Sequence, residues 1–381
     1  MVYLDHNAIT PLRPESKAAL VAALDVFGNP SSVHAAGRAA RDLLDRSRAD
    51  CAAAIGTQPS EIVFTSGATE SAAIAIRGVL GAAPAGRDEL VVTAVEHPCV
   101  LAVADALRSA GRPVTVLPVN RSGLPDPRAA DAAVTPRTAL VCAMLANNET
   151  GVILPVRELA ALARDRGALF FTDAVQAVGK IPVDVRTLGA DLLALTGQKF
   201  GGPRGAGALW VKSGTRLAPL LGGTQERGRR AGTENLPGIA ALASAVTAAL
   251  AHRDDEQRRI GALRDRLQAG LLAALPGSIV NGAGAERLPG TLSITLPGTD
   301  AEALLIALDL EGICASAGSA CHSGSAKPSS VLAAMGLNAT EARATLRLSL
   351  GWTSRDEDVD RALEAIPRLA RQVRVAIPAA G

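Results

Sequence analysis

Aromatic side chains are scarce in this chain of 381 residues, which has two Trp, one Tyr and five Phe. A core therefore has to be filled by Ala, Leu and Val, and with 48% of the residues hydrophobic there is enough apolar surface for a large one. Net charge is equally slight, +2 at neutral pH, so bulk electrostatics call for neither nucleic acid nor membrane lipid. The five cysteines (Cys51, Cys99, Cys142, Cys314, Cys321) are odd in number and lack metal-type spacing. That argues against a disulfide framework or a zinc ribbon and fits a reducing, cytoplasmic compartment. The five histidines show no ligand spacing either, so no metal is expected. Residues 236–251 form the most apolar stretch, short for a membrane span and rich in Ala, and read as a buried helix. The N-terminal fourteen residues show no basic segment followed by an apolar run, so no secretory signal is expected. The run Arg227-Gly228-Arg229-Arg230 is too short, and too far from aromatic residues, to suggest a nucleic-acid patch.

What the sequence does have is regular alternation. Residues 61–65, 90–95, 114–117, 139–145, 168–172, 191–195 and 207–211 read as short strands, with helical patterns such as 156–166 between them. Strand–helix alternation implies a largely parallel sheet with helices on both faces. In such sheets ligands gather at the carboxyl ends of the strands. Past about residue 250 the pattern changes to a charged helix (253–275), strands near 278–280 and 291–295, a helix at 301–310, a Gly/Ser/Ala-rich loop at 315–325, a strand at 345–350 and a helix from 355 onward. We read a large domain over residues 15–250, and a smaller α+β domain formed by 1–14 and 251–381 that carries the Gly/Ser loop.

The strand at 61–65 runs into Ser66-Gly67-Ala68-Thr69-Glu70-Ser71 and then an apolar helix. A small, hydroxyl-bearing turn at a helix N-terminus offers free N–H groups and the positive end of the dipole to a phosphate. The same residues also suit an ordinary capping box with Ser66 or Thr69 as the cap, and the segment alone does not decide. Asp173 closes one strand, and Lys199, in Thr196-Gly197-Gln198-Lys199, follows the next. An acid and a lysine at successive strand ends suit a pyridoxal enzyme, with the lysine forming a Schiff base and the carboxylate keeping the pyridine nitrogen protonated. A surface lysine and a capping aspartate have the same spacing.

Ordered motifs then extend over nearly the whole chain. They are Tyr3-Leu4-Asp5-His6-Asn7-Ala8, Gly28-Asn29-Pro30-Ser31-Ser32-Val33-His34, the Ser66 turn, Glu96-His97, Asn147-Asn148-Glu149-Thr150-Gly151, Thr172-Asp173-Ala174-Val175-Gln176, the Lys199 segment, Gln225-Glu226-Arg227-Gly228, Arg230-Ala231-Gly232-Thr233-Glu234-Asn235, Gly318-Ser319-Ala320-Cys321 and Arg347-Leu348-Ser349-Leu350-Gly351. Together they resemble the cysteine desulfurases, pyridoxal-phosphate enzymes of the aminotransferase-like fold-type I group.

The resemblance implies an α/β large domain with a mostly parallel seven-stranded sheet beside the smaller α+β domain. It implies pyridoxal 5'-phosphate held on Lys199, with Asp173 at the pyridine nitrogen, Gln176 at the phenolic oxygen and His97 over the ring. Ala68, Thr69, Thr196 and the residue at 198 belong to the phosphate site, and Thr233 reaches it from a neighbouring subunit of a homodimer. Asn148 and Arg347 hold the substrate carboxylate, and Cys321 is the nucleophile that takes sulfur from L-cysteine as a persulfide while alanine leaves. A sulfur-acceptor or scaffold protein, serving iron–sulfur clusters or tRNA thiolation, is the implied partner. Four positions depart from the family pattern: Gln198 for histidine, His322 after the nucleophile, Lys327 and Trp352. Cys321-His322-Ser323 is similar to selenocysteine lyases, the alternative reading, with L-selenocysteine as substrate. A fold-type I aminotransferase or β-lyase that does not use Cys321, and a non-catalytic sulfur-trafficking scaffold, stand further off. Cys51, Cys142, Cys314 and Cys99 are expected to be small buried hydrophobes.

Overall fold

The computed structural model describes residues 1–317 and 329–373. Its main sheet has seven strands in the order Ile62–Thr65, Gly207–Val211, Leu192–Thr196, Leu169–Asp173, Thr138–Cys142, Glu89–Thr93 and Val114–Leu117. Gly207–Val211 runs antiparallel to both of its neighbours, and the other pairings are parallel. Apart from the edge strand Val114–Leu117, whose Thr115 and Val116 are exposed, these strands are nearly continuous Val, Leu, Ile, Phe and Ala because both faces are covered. Alternate residues enter opposite cores, as the period of two requires. Val91, Val141, Phe170 and Leu193 pack on one side, and Leu90, Val92, Leu140, Phe171 and Leu192 on the other.

A third core unites the chain's two ends. Leu4 packs with Leu263, Leu267, Leu271, Leu292, Ile294, Leu346, Leu348, Val359 and Ile366. Its sheet is antiparallel, in the order Ser316–Ala317, Thr345–Ser349, Thr291–Thr295, Ile279–Val280, while Val2–Tyr3 pairs in parallel with Ile313–Cys314. Among the described residues no helix is long and apolar enough to cross a membrane.

Two helices expected on either side of residue 252 are in fact one, Leu236–Ala274, of 39 residues. Its first half is buried nearly all round (Ile239, Ala241, Leu242, Ala245, Val246), whereas its second half buries a stripe at helical spacing, Ile260, Leu263, Leu267 and Leu271. The change of pattern marks a change of neighbours, and no Gly or Pro between residues 251 and 260 interrupts the backbone. The strand expected at 139–145 ends at Cys142, because the chain then turns to deliver residues 147–149.

One buried ion pair fastens the first strand to its surroundings. Glu226, with φ 46 in the left-handed region, accepts hydrogen bonds from Arg48 Nη1 and Nη2, both at 2.7 Å, and from the Phe64 N–H at 3.0 Å. Arg48 also donates to the Ile62 carbonyl and stacks over Phe64. A non-glycine residue in that conformation needs its surroundings to hold it there. Replacing Glu226 with Ala strands a buried guanidinium, so destabilisation of about 3 kcal/mol is expected. A thermal-unfolding scan of Glu226→Ala reads this as a lowered midpoint; an unchanged midpoint would refute the assignment.

Candidate active site

The parallel strands point their carboxyl ends at one cavity of about 760 Å³, and residues from both ends of the chain complete its wall. Asp173 ends Leu169–Asp173 and Thr196 ends the neighbouring Leu192–Thr196. The short 3-10 turn Gly197–Lys199 then brings Lys199 to the same wall. Its amine donates to the backbone carbonyls of Asn7 (2.9 Å) and Ala8 (2.7 Å). Gln176 donates from Nε2 to the same Asn7 carbonyl at 2.9 Å.

Asp173 is buried, and its Oδ1 accepts the Val175 N–H at 2.9 Å. His97 caps the helix Pro98–Ser109 with Nδ1, which accepts the Cys99 N–H at 3.2 Å and lies 3.0 Å from Cys99 Sγ. That assigns Nδ1 as acceptor and puts the proton of the neutral ring on Nε2. Burial drives the Asp173 carboxyl upward against the opposing pull of His97 and Lys199. Burial likewise drives the His97 imidazole downward, against the pull of Asp173. Each group thus favours its neutral form unless the other is charged. Behind them, Glu96 is fully buried and pushed up to about 8 by burial, with Thr93 Oγ1 and the Met144 N–H on Oε1 and no partner for Oε2.

Helix Ala68–Ala82 opens onto the same cavity, and Ala68 and Thr69 line it. Its N-cap is Gly67 (φ 152), with no side-chain cap, so the capping box with Ser66 or Thr69 as the cap is not what forms here. Glu70 instead accepts the Ser66 N–H at 2.6 Å and pairs with Arg230 at 2.8 Å. The first-turn N–H groups have no intrahelical acceptors. Gly207 lies directly beneath this turn: a Cβ there would come within 2.7 Å of Gly67 Cα. Thr196 Oγ1 donates to Gln198 Oε1 at 2.6 Å. Thr233 is exposed and lies outside this cavity, in a depression lined by Ser66, Arg230 and Glu234.

On the opposite wall Arg347, 2% exposed, stands on the strand Thr345–Ser349. Its Nη2 donates to Asp5 Oδ1 at 2.7 Å, its Nη1 donates to the Asn148 carbonyl at 3.2 Å, and Nε has no partner. Asn148 lies within a turn built by Asn147, whose Oδ1 accepts the N–H groups of Glu149 and Thr150. The Oδ1 of Asn148 is buried without a partner. Glu149 is pushed up to about 7 by burial, and its Oε2 accepts the Ser329 hydroxyl at 2.5 Å.

Cys321 and His322 lie outside the described residues. The described residues on either side of them both adjoin the cavity wall. Ser316 and Ala317 pair with Arg347 and Leu346, and Ser329 reaches Glu149. Cys51 and Cys142 are buried as expected, but Cys99 and Cys314 are only partly so, and Cys99 lines the cavity at the His97 ring. Asp5, Asn7, Lys180 and Cys99 were not singled out from sequence as site residues. For Lys180 there was a signal, a lone charge in the apolar run 174–183.

The residues present fit pyridoxal phosphate. Asn148 Oδ1 and Arg347 Nε are orphaned polar atoms at the cavity wall. An amine, a carboxyl, an imidazole and an open helix N-terminus share that wall.

Residues 2–362 match the model of the class-V aminotransferases. A cysteine desulfurase of Trichormus azollae is 45% identical over 99% of this chain and 95% of its own. Among solved structures, a NifS-like protein superposes with a TM-score of 0.91 at 31% identity, covering 97% of this chain and 99% of that one. SspA in complex with cysteine gives 0.81 at 33% identity, covering 92% and 99%. The chain belongs to the cysteine desulfurases of the class-V aminotransferase family.

The N-terminal segment that forms part of this wall is pinned by His6, buried against Gly351, with Nδ1 2.6 Å from Thr10 Oγ1. Burial, with Lys180 nearby, lowers its pKa to about 3. The unfolded chain binds a proton on this ring below about 6.5 and the folded one does not, so this contribution to stability is present above that pH and is lost as pH falls toward 3. The thermal midpoint of the parent should therefore drop more steeply between pH 7 and pH 5 than that of His6→Asn. Parallel slopes would show that His6 is not held neutral.

Proposed function

We propose that this member of the cysteine desulfurases converts L-cysteine to L-alanine and transfers the sulfur to its own Cys321 as a persulfide, with pyridoxal 5'-phosphate as the resident cofactor. The observation that carries the reading is the convergence on one cavity of Lys199 and Asp173, from successive parallel strands, with Arg347 from the smaller sheet. Bound pyridoxal phosphate supplies an electron sink at the substrate's Cα. Asp173, His97 and Gln176 would hold its ring, and Ala68, Thr69, Thr196 and Gln198 its phosphate.

Arg347 binds the substrate carboxylate, assisted by Asn148. Its planar fork is already oriented by Asp5 and the Asn148 carbonyl, so little freedom is lost on binding. Lys199 moves the Cα proton as a general acid–base, and its amine starts from the carbonyls of residues 7 and 8. Cys321 attacks the substrate sulfur as thiolate. A sulfur–sulfur bond forms as the carbon–sulfur bond breaks, Cβ takes up a proton, and alanine leaves. Sulfur is oxidised and carbon reduced in the same step, so no external oxidant is required.

The proposal extends to a homodimer in the cytoplasm, in which Thr233 serves the partner's phosphate site, and to a separate protein that takes the sulfur onward. The exposure of Thr233 outside its own cavity supports the first. It extends also to two domains, 15–250 against 1–14 with 251–381, and the separate core around Leu4 and Leu292 supports that. That relatives are named cysteine desulfurases supports L-cysteine, rather than L-selenocysteine, as the substrate here.

One turnover with L-cysteine should add a single sulfur atom to the peptide containing Cys321, read by mass spectrometry, and Cys321→Ala should make no alanine. Full alanine formation by Cys321→Ala would end the persulfide reading. Arg347→Lys should raise KM for cysteine by roughly tenfold or more, the scale of one charge-assisted hydrogen bond; an unchanged KM would remove Arg347 from the carboxylate site.

A further inference from the structure

Lys180 takes no part in the chemistry above, yet it adjoins the residues that hold the site. It lies four residues beyond Gln176, in the turn that follows Asp173, and its side chain is largely enclosed. An ammonium donates hydrogen bonds and accepts none. Nζ donates to Gln176 Oε1 at 2.5 Å and to Asn7 Oδ1 at 3.0 Å. With their oxygens taken in this way, both amides have a fixed orientation.

Gln176 must then turn Nε2 to the Asn7 carbonyl, leaving its second proton for an acceptor in the cavity that Gln176 lines. Asn7 must turn Nδ2 to the Asn148 carbonyl at 3.1 Å and to Thr291 Oγ1 at 2.9 Å. The Asn7 carbonyl is the one that accepts from Lys199, and the Asn148 carbonyl is the one that accepts from Arg347. If either amide flipped, oxygen would face oxygen at one of these two carbonyls, a repulsive contact in a poorly solvated place. Burial, together with the nearby Lys199 and Arg347, pulls Lys180 down to about 7. Two amide oxygens on one enclosed Nζ are the partners an ammonium requires, so the geometry favours the charged form in spite of the burial.

We propose that Lys180 is a positioning residue for the desulfurase reaction: by locking the side-chain amides of Asn7 and Gln176 it sets the spacing between the Lys199 amine and the Arg347 guanidinium. The inference rests on the roles given to Lys199 and Arg347 above. Substrate held by Arg347 then presents its Cα at a fixed distance from the Lys199 amine. Loosening of either amide should slow the proton transfer more than it weakens binding.

The test compares parent protein loaded with pyridoxal phosphate, Lys180→Met, Asn7→Ala and the double variant. Asn7→Ala keeps the carbonyl that holds Lys199 and removes only the side chain. Each single substitution should lower kcat for alanine formation, per bound cofactor, by about tenfold or more and leave KM for cysteine within about threefold, as expected for misplacement of a bound substrate. The double variant should be little slower than the worse single one, because both act through one unit. The visible absorption band of the bound cofactor should shift in Lys180→Met before any substrate is added. A Lys180 that merely supports the fold would lower the thermal midpoint but leave kcat per cofactor and the absorption band as in the parent. That result, or full additivity of the two substitutions, overturns the proposal. If Lys180→Met does not fold, Asn7→Ala carries the test alone, and parental kcat and absorption there overturn it. Failure of the parent itself to bind pyridoxal phosphate or release alanine would instead refute the functional reading, and with it this inference.

Discussion

The backbone carbonyl of Asn7 accepts the amine of Lys199 and the amide of Gln176, and around that oxygen the rest of the site is arranged. Asn7 belongs to a segment at the extreme N-terminus, whereas Lys199 and Gln176 stand at the carboxyl edge of a sheet formed by the middle of the chain. The other polar groups of Asn7 reach further. Its N–H donates to Ser349 Oγ, and its side chain meets Lys180, Thr291 and the Asn148 carbonyl. One residue thereby ties the main sheet to the smaller sheet that carries Arg347. Few backbone donors and acceptors this deep can be left unmade without cost, and here nearly all are used.

Charge is gathered at this junction against the preference of burial. Asp173, Glu96 and Glu149 are all driven toward their neutral forms, and His97, His6 and Lys180 likewise. Arg347 has Asp5 beside it, Nη2 to Oδ1 at 2.7 Å. Of the groups driven toward neutrality, Asp173, His97 and Glu149 line the cavity, and perturbed titratable groups gathered in a cleft suit acid–base chemistry at a substrate carbon. The cavity wall also retains polar atoms without partners, Asn148 Oδ1 and Arg347 Nε. The Nε–H of Arg347 is a donor that a carboxylate oxygen would satisfy and Asn148 Oδ1 an acceptor for a ligand N–H or O–H, so the wall favours polar ligands over apolar ones.

The sequence made much of this legible, and for identifiable reasons. Strands buried on both faces are continuous apolar runs, so six strands of the main sheet could be read that way, and the exposed edge strand Val114–Leu117 by its β-branched residues, to within a residue or two at most ends. Asp173, Thr196 and Lys199 could be placed because ligand sites in such sheets collect at strand ends. The exceptions are as informative. The 39-residue helix reads as two because its neighbours change halfway along while its backbone does not. The turn at residue 67 is capped by glycine geometry rather than by the hydroxyls on either side.

By itself the sequence determined what is set by local pattern and residue chemistry: the alternating architecture, the order of the strands along the chain, the family resemblance, and which lysine, acid, arginine and cysteine are chemically apt. Tertiary structure alone decided which distant groups meet. That Asn7 holds Lys199, that Asp5 orients Arg347, and that Lys180 fixes two amides all depend on the N-terminal segment crossing the sheet edge. So does the neutrality of His6 against Gly351. Hydrogen bonds between residues far apart in the chain leave no periodic trace in it, because their partners are chosen by where the packed cores bring the backbone.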